Sequence, residues 1–268
     1  MFLGLDIGTT STIGILIRLP DEVVGLISRP VTFSAPKAGW AEEDPREWWE
    51  NVRAILAAFA ERGIDLHEIR GIGVTGMLPA VVLLDEAGDL IRPSIQQSDG
   101  RCGAEVEALR SEVDPDWFLR KAGNGINQQL VTAKLRWIER HEPENFARIA
   151  TVFGSYDYIN WRLTGRRAIE QNWALEAGFV DLGRLEISPD LVALAHIPAE
   201  ALPPRSVSHA LLGTVTTEAA AATGLAEGTP VVGGAADLIA SALAAGLSAE
   251  GDVLLKFGGS VDILVATD

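Results

Sequence analysis

The stretch Phe2-Leu3-Gly4-Leu5-Asp6-Ile7-Gly8-Thr9-Thr10-Ser11-Thr12-Ile13-Gly14-Ile15-Leu16-Ile17 decides how the rest of the chain is read. Phe2 to Leu5 is an apolar run of strand length, and Ile13 to Ile17 is another. Between them, Gly8, Thr9, Thr10 and Ser11 have the composition of a tight hairpin turn. Glycine lets a backbone bend with its N–H groups turned outward, and the Thr and Ser hydroxyls add donors beside them. Such a turn is a nest that can hold phosphate oxygens. Asp6 lies where the first strand runs out, and a carboxylate next to bound phosphate usually serves the divalent cation that accompanies a nucleotide. An ordinary Gly-Thr hairpin at a sheet edge fits this stretch alone equally well.

Outward from the hairpin, 268 residues allow one large or two modest domains at roughly 150 residues each. The net charge of −15 argues against nucleic acid, because nothing would neutralise a phosphate backbone. A nucleotide is not excluded, since it needs only local donors and a cation. Cys102 is the sole cysteine, so no disulfide framework can form and a reducing compartment is expected. Residues 2–7 read as a strand and not a signal peptide, and the richest apolar run, Leu238 to Leu247, is far short of the ~20 residues of a membrane span. The expectation is a cytoplasmic protein with neither nucleic-acid nor membrane partners.

Further along, Glu22 to Val31 reads as a strand. Asp44-Pro45 reads as the start of a helix, in which Trp48, Trp49, Val52, Ile55, Leu56 and Phe59 recur at helical spacing. Gly71-Ile72-Gly73-Val74-Thr75-Gly76 matches G-x-G-x-x-G. The dinucleotide fingerprint needs a helix to begin on its last glycine, and Pro79 is badly placed for that. The match is rejected. Glu105 to Leu119 and Ala133 to Arg140 read as helices. Another helix ends at Leu163-Thr164-Gly165, with glycine as left-handed cap. Asp99 and Arg101, in a polar loop after Pro93, suit hydrogen bonds to a polyhydroxylated ligand, or a mutual pairing that only holds the loop. Near the C-terminal end, Val253 to Phe257, Gly258-Gly259-Ser260 and Val261 to Val265 repeat the opening pattern of strand, Gly-rich turn and strand. Two such units suggest a nucleotide clamped between duplicated hairpins.

Taken in order, these stretches resemble the FGGY family of carbohydrate kinases. The matches begin with Leu5-Asp6-Ile7-Gly8-Thr9-Thr10-Ser11, Gly73-Val74-Thr75-Gly76 and Val81-Val82-Leu83-Leu84-Asp85. They continue with Lys134-Leu135-Arg136-Trp137, Asp157-Tyr158-Ile159-Asn160-Trp161-Arg162-Leu163-Thr164-Gly165, and Gly224-Leu225 with Gly228-Thr229-Pro230. The last are Gly233-Gly234-Ala235-Ala236-Asp237 and Lys256-Phe257-Gly258-Gly259-Ser260. The resemblance implies an α/β chain with the actin-like ATPase, ribonuclease H-like, fold: a mixed sheet flanked by helices. It implies an N-terminal domain over residues 1–246, and the start of a nucleotide-binding domain over 247–268. ATP and Mg²⁺ are the implied cofactors, and the implied partner is a sugar or polyol of the xylulose-kinase-like class. A homodimer is left open.

By the same resemblance, Asp237 is the expected general base. Gly8, Thr9 and Thr10 form the first phosphate loop, and Gly258, Gly259 and Ser260 the second. Asp6, with Asp237, belongs to the magnesium end of the cleft. Met77, Leu78, Gln97, Asp99, Arg101 and Asp237 fall in segments that line the sugar pocket. Read without the family, Asp237 is simply a helix N-cap. Departures from the family pattern are Ile13, where relatives often carry Lys or Arg, and Gly-Gly-Ser in the second loop instead of Gly-Thr-Ser. Met77-Leu78-Pro79-Ala80 stands where xylulose kinases read Gln-Met-His-Gly, without the histidine, and Gln97 replaces an aromatic. They leave two alternatives: a non-catalytic sugar- or nucleotide-sensing relative, and an actin-like ATPase without a sugar substrate.

Overall fold

The structure is a computed structural model that describes residues 1–257 and 261–267. The second expected phosphate loop, Gly258, Gly259 and Ser260, lies outside the described residues. The opening hairpin forms as its sequence dictates. Strand β1 (Phe2–Ile7) pairs antiparallel with β2 (Ser11–Arg18), and Asp6 stands opposite Ile13. Alternation puts Leu3, Leu5 and Ile7 on the buried face and leaves Gly4 and Asp6 on the half-open one. Strand β3 (Glu22–Pro30) continues the meander against β2.

Helix α1 (Pro45–Glu61) starts where Asp44 accepts the Arg46 N–H, with proline in the first turn. Its Trp48, Val52, Ile55, Leu56 and Phe59 are fully buried. Helix and sheet approach so closely that a Cβ on Gly14 would lie 2.4 Å from Ile55 Cγ2. Only glycine leaves room there.

Strand β4 (Ile72–Gly76) lies parallel to β1, with Thr75 beside Asp6 and Gly76 beside Ile7. No helix begins on Gly76. The Met77 N–H donates to Ile7 O and the chain enters a loop, in keeping with rejection of the dinucleotide fingerprint. The single helix expected over Glu105 to Leu119 is two, α2 (Gly103–Glu112) and α3 (Pro115–Ala122). Pro115 lacks the N–H that a continuing helix needs and pushes Asp114 out of the helical region, so Asp114 caps a new helix instead. Helix α4 (Val131–His141) follows. Helix α5 (Ser155–Thr164) packs on β4 and ends at Gly165 with φ of 68°. Next comes the short α6 (Gln171–Glu176).

Strands β5 (Leu211–Thr214), β6 (Pro230–Val232) and β7 (Ala235–Ala236) complete the main sheet, ordered β5-β6-β4-β1-β2-β3, with β7 also on β4. It is a mixed sheet flanked by helices, the arrangement expected of the actin-like ATPase fold. Val231 pairs with Ile72 and Ala235 with Thr75, so four steps of one strand span three of the other. The extra residue is a bulge. Gly234 takes it up at φ of 86°, where a Cβ would lie 2.3 Å from Val74 O. The Asn160 side chain of α5 secures the bulge by donating to Gly233 O at 2.8 Å. The bulge sets Ala236 beside Gly76, so that the next residue, Asp237, leaves the carboxyl end of the sheet and opens helix α7 (Asp237–Ala244). Strands β8 (Val253–Phe257) and β9 (Val261–Val265) pair antiparallel with each other, apart from the main sheet.

Candidate active site

Ligands of open α/β sheets sit beyond the carboxyl ends of the parallel strands. There β1 delivers Asp6, β4 delivers Met77 and Leu78, and β7 delivers Asp237. Asp6 is one strand spacing from Thr75, whose Oγ1 donates to Asp6 Oδ1 at 2.8 Å. Ala235 is one spacing further on, so the Asp6 and Ala235 backbones are roughly 10 Å apart. Asp237 is half-buried. Burial raises its pKa above the ordinary value. The Leu238 N–H, 2.6 Å from Oδ1, works against the shift, and the Asp6 charge adds to it. Asp237 is the first residue of α7; the cap position belongs to Ala236, so the helix N-cap expected at Asp237 lies one residue earlier. Its second oxygen, Oδ2, accepts no hydrogen bond among the described residues.

The Asp237 side chain lines a cavity of about 300 Å³, together with Leu78, Gln97, Asn172, Glu176 and Lys256. That volume is of the order of a small-molecule site. In the turn between β1 and β2, Gly8 N–H donates to Ser11 O. A Cβ on Gly8 would lie 3.0 Å from that same oxygen, so the turn needs glycine for close approach. The N–H groups of Thr9 and Thr10 make no hydrogen bond among the described residues, and both side chains are exposed. This open pair of donors beside Asp6 fits the phosphates of a nucleotide. Two carboxylates, Asp6 and Asp237, fit Mg²⁺, which keeps most of its waters and shares phosphate oxygens.

Met77 is buried and touches the turn, with Thr9 Oγ1 3.7 Å from its Sδ, but it does not line the cavity. Nor do Asp99 and Arg101. Both side chains are fully buried and paired at 2.7 Å, and Arg101 also meets Glu42 at 2.8 Å. The Arg101 guanidinium lies 3.8 Å from the ring centre of Trp40 and 4.9 Å from that of Trp137. Burial pushes the Asp99 carboxyl up, and hydrogen bonds from Arg101 and the Ala41 N–H more than offset this, holding it below the usual range. Asp99 and Arg101 thus form the mutual pairing that the sequence also allowed, in the loop that carries Gln97.

The description "FGGY family of carbohydrate kinases, N-terminal domain" matches residues 1–244. The chain belongs to this family. It is 29% identical over 260 residues to the xylulose kinase of Klebsiella pneumoniae, covering 97% of this chain and 53% of that protein. It is 32% identical over 253 residues to the L-xylulose/3-keto-L-gulonate kinase of Escherichia coli (strain K12), covering 93% and 51% respectively. The crystal structure of xylulose kinase from Rhodospirillum rubrum superposes with a TM-score of 0.97 at 64% identity, over 99% of this chain and 56% of that one. The chain thus spans about half the length of the curated relatives it matches, and it has their actin-like ATPase fold.

Within this FGGY domain, sequence reasoning missed Asn172, Leu175 and Glu176, which α6 presents to the cavity. The available signal was the spacing of Asn172 and Glu176, four apart and hence on one helical face. Asn172 is fixed from below. Its Nδ2 donates to Glu170 Oε1 at 2.8 Å, and its N–H donates to Glu170 Oε2. Glu170 in turn accepts from Tyr156 and Ser208. Lys134 is buried, with no carboxylate at contact distance among the described residues. Its Nζ donates to Gln96 O at 2.8 Å and to Pro79 O at 3.4 Å, joining the two loops that present Gln97 and Leu78.

Proposed function

We propose that this chain is the sugar-binding half of an ATP-dependent kinase that phosphorylates a hydroxyl of a sugar or polyol of the xylulose-kinase-like class. The observation that carries the reading is the pair Asp6 and Asp237, set on either side of the end of β4, with Asp237 lining a cavity. Residues 1–246 would hold the sugar and the first phosphate loop, and 247–268 would open a nucleotide-binding domain. The buried, unpaired Cys102 accords with a reducing, cytoplasmic setting.

ATP would supply the phosphoryl group and Mg²⁺ the positive charge that a loose, anionic transfer requires. Asp237 Oδ2 would take the proton of the attacking hydroxyl, while Oδ1 stays on the Leu238 N–H and fixes the rotamer. Its raised pKa makes it a stronger base than an exposed aspartate, and a positioned general base contributes ~10²–10⁴ in rate. The N–H groups of Thr9 and Thr10 would donate to phosphate oxygens, at about 1.5–3 kcal/mol each for bonds to a charged acceptor. Asp6, oriented by Thr75, would face the magnesium through water. Leu78 and Leu175 would keep bulk water from the reacting hydroxyl.

One observation favours a binding-only relative: the residue opposite Asp6 is the uncharged Ile13, so no cation stands there to balance phosphate. ADP release by the full-length polypeptide, measured against ketoses and polyols, separates the readings. Sugar-stimulated release is expected. Sugar binding without turnover would favour the sensing relative, and sugar-independent hydrolysis an ATPase without a sugar substrate.

A further inference from the structure

The cavity wall facing Asp237 is built by α6, and its hydrogen-bonding character is one-sided. The Nδ2 of Asn172 is committed to Glu170 and Ser208, so the amide presents its carbonyl oxygen as an acceptor. Glu176 receives one hydrogen bond among the described residues, from Asn124 Nδ2 to Oε2 at 3.0 Å. No Lys or Arg among the described residues pairs with it. Asp237 adds another acceptor. Lys256, the cation on the cavity, reaches it from β8 and stands 3.8 Å from Asp262. The lining is therefore rich in acceptors and carries three carboxylates, those of Glu176, Asp237 and Asp262, against one amine.

From this we infer that Glu176, with Asn172, is the specificity-determining pair of the acceptor site, and that it selects neutral polyhydroxylated sugars and rejects sugar acids. The inference rests on the kinase reading above and adds the class of acceptor. Hydroxyl groups are donors, and each could meet a carbonyl or carboxylate oxygen on this wall. A carboxylate-bearing sugar offers acceptors to acceptors and a negative charge to an uncompensated Glu176. Like-charge contact of this kind inside a cavity costs enough to lower affinity by at least about tenfold. The backing from Asn124 and Glu170 keeps the two side chains from swinging away to make room.

Isothermal titration of the full-length polypeptide with D-xylulose, L-xylulose and ribitol, and with gluconate and xylonate, reads the inference separately from turnover. The neutral compounds should bind, and the two acids should bind at least about tenfold more weakly. Glu176→Gln keeps the shape and the Asn124 contact, and should shrink that ratio several-fold. Glu176→Arg should invert it. Asn172→Ala, which leaves α6 in place, should weaken the neutral sugars alone. Equal or tighter binding of the acids, no binding of any neutral compound, or an unchanged ratio in Glu176→Gln would each overturn the inference. If the neutral sugars bind with the expected preference but none stimulates ADP release, the kinase reading fails and the acceptor selectivity stands.

Discussion

Two aspartates in this chain lie just beyond a short strand, Asp99 in a loop and Asp237 at the start of α7, and the structure gives them opposite surroundings. Asp99 is enclosed, bonded to Arg101 and the Ala41 N–H, and held below the usual carboxylate range. Asp237 is half-buried, has one oxygen that accepts no hydrogen bond among the described residues, and is held above its usual range by burial and by Asp6. The difference is the partner. A carboxylate that a guanidinium has neutralised is a strut, whereas one that lines a cavity and feels another carboxylate has its charged form disfavoured, which is what the proposed role of Asp237 as base requires.

The sharpest way to break this contrast is Asp237→Asn in the full-length polypeptide. Sugar binding by titration should survive, because the amide keeps the Leu238 contact, while sugar-stimulated ADP release should fall by ~10²–10⁴. Turnover near the parent rate would end the assignment of Asp237 as base. Arg101→Met tests the other half. It strands Asp99 without its cation, and breaking a buried pair typically costs about 3–5 kcal/mol. The loss should show in urea unfolding. A variant as stable as the parent would mean that Asp99 is not held by this pair.

The contrast also marks what could be read before any coordinates. The Asp6–Ser11 turn, the apolar stripe of α1 and the Gly233–Asp237 segment were legible because each is a local pattern: turn residues between apolar runs, a 3.6 period, glycines before a helix. The break at Pro115 is legible in the proline itself, but an acidic helical pattern continues on both sides of it and masks the break. The role of Arg101 was not, because its environment comes from Glu42, Trp40 and Trp137, all more than thirty residues away in sequence. Asn172 and Glu176 escaped for the same reason. Nothing in Gln171–Glu176 says which side of a two-turn helix will meet a cavity whose far wall is β7 and β8.

Lys134 sharpens the comparison from beneath. Burial pulls its pKa down to about 8 from an ordinary 10.5, against the opposing pull of Cys102 and Asp99. The sign follows from proton counts. Between pH 8 and 10.5 the unfolded chain holds a proton at this site that the folded chain has given up, so stability from this group rises with pH across that window. The stability difference between the parent and Lys134→Met should therefore grow in favour of the parent on going from pH 8 to pH 10 in denaturant titrations. The same variant should raise the sugar KM more than the ATP KM, because the carbonyls it abandons belong to the Pro79 and Gln96 loops. A flat pH difference would mean that the amine is not desolvated as its burial implies.

The smallest effect is expected at Ile13, and it bears on why Asp6 has no partner of the kind that silences Asp99. Ile13 faces Asp6 directly across the hairpin, on the half-open side of the sheet. A lysine there would sit at cross-strand distance from the carboxylate and within reach of the Thr9 and Thr10 N–H groups. Opposite-charge cross-strand pairs contribute roughly 0.2–1 kcal/mol, so Ile13→Lys should change ATP affinity by no more than about fivefold. The direction is the informative part. If the new cation serves phosphate, the ATP KM falls and kcat holds. If it closes instead on Asp6, that aspartate becomes a second Asp99: the fold gains a little stability, and magnesium dependence shifts to higher concentration. Measuring both quantities on one variant shows which of the two uses of a carboxylate the opening hairpin supports.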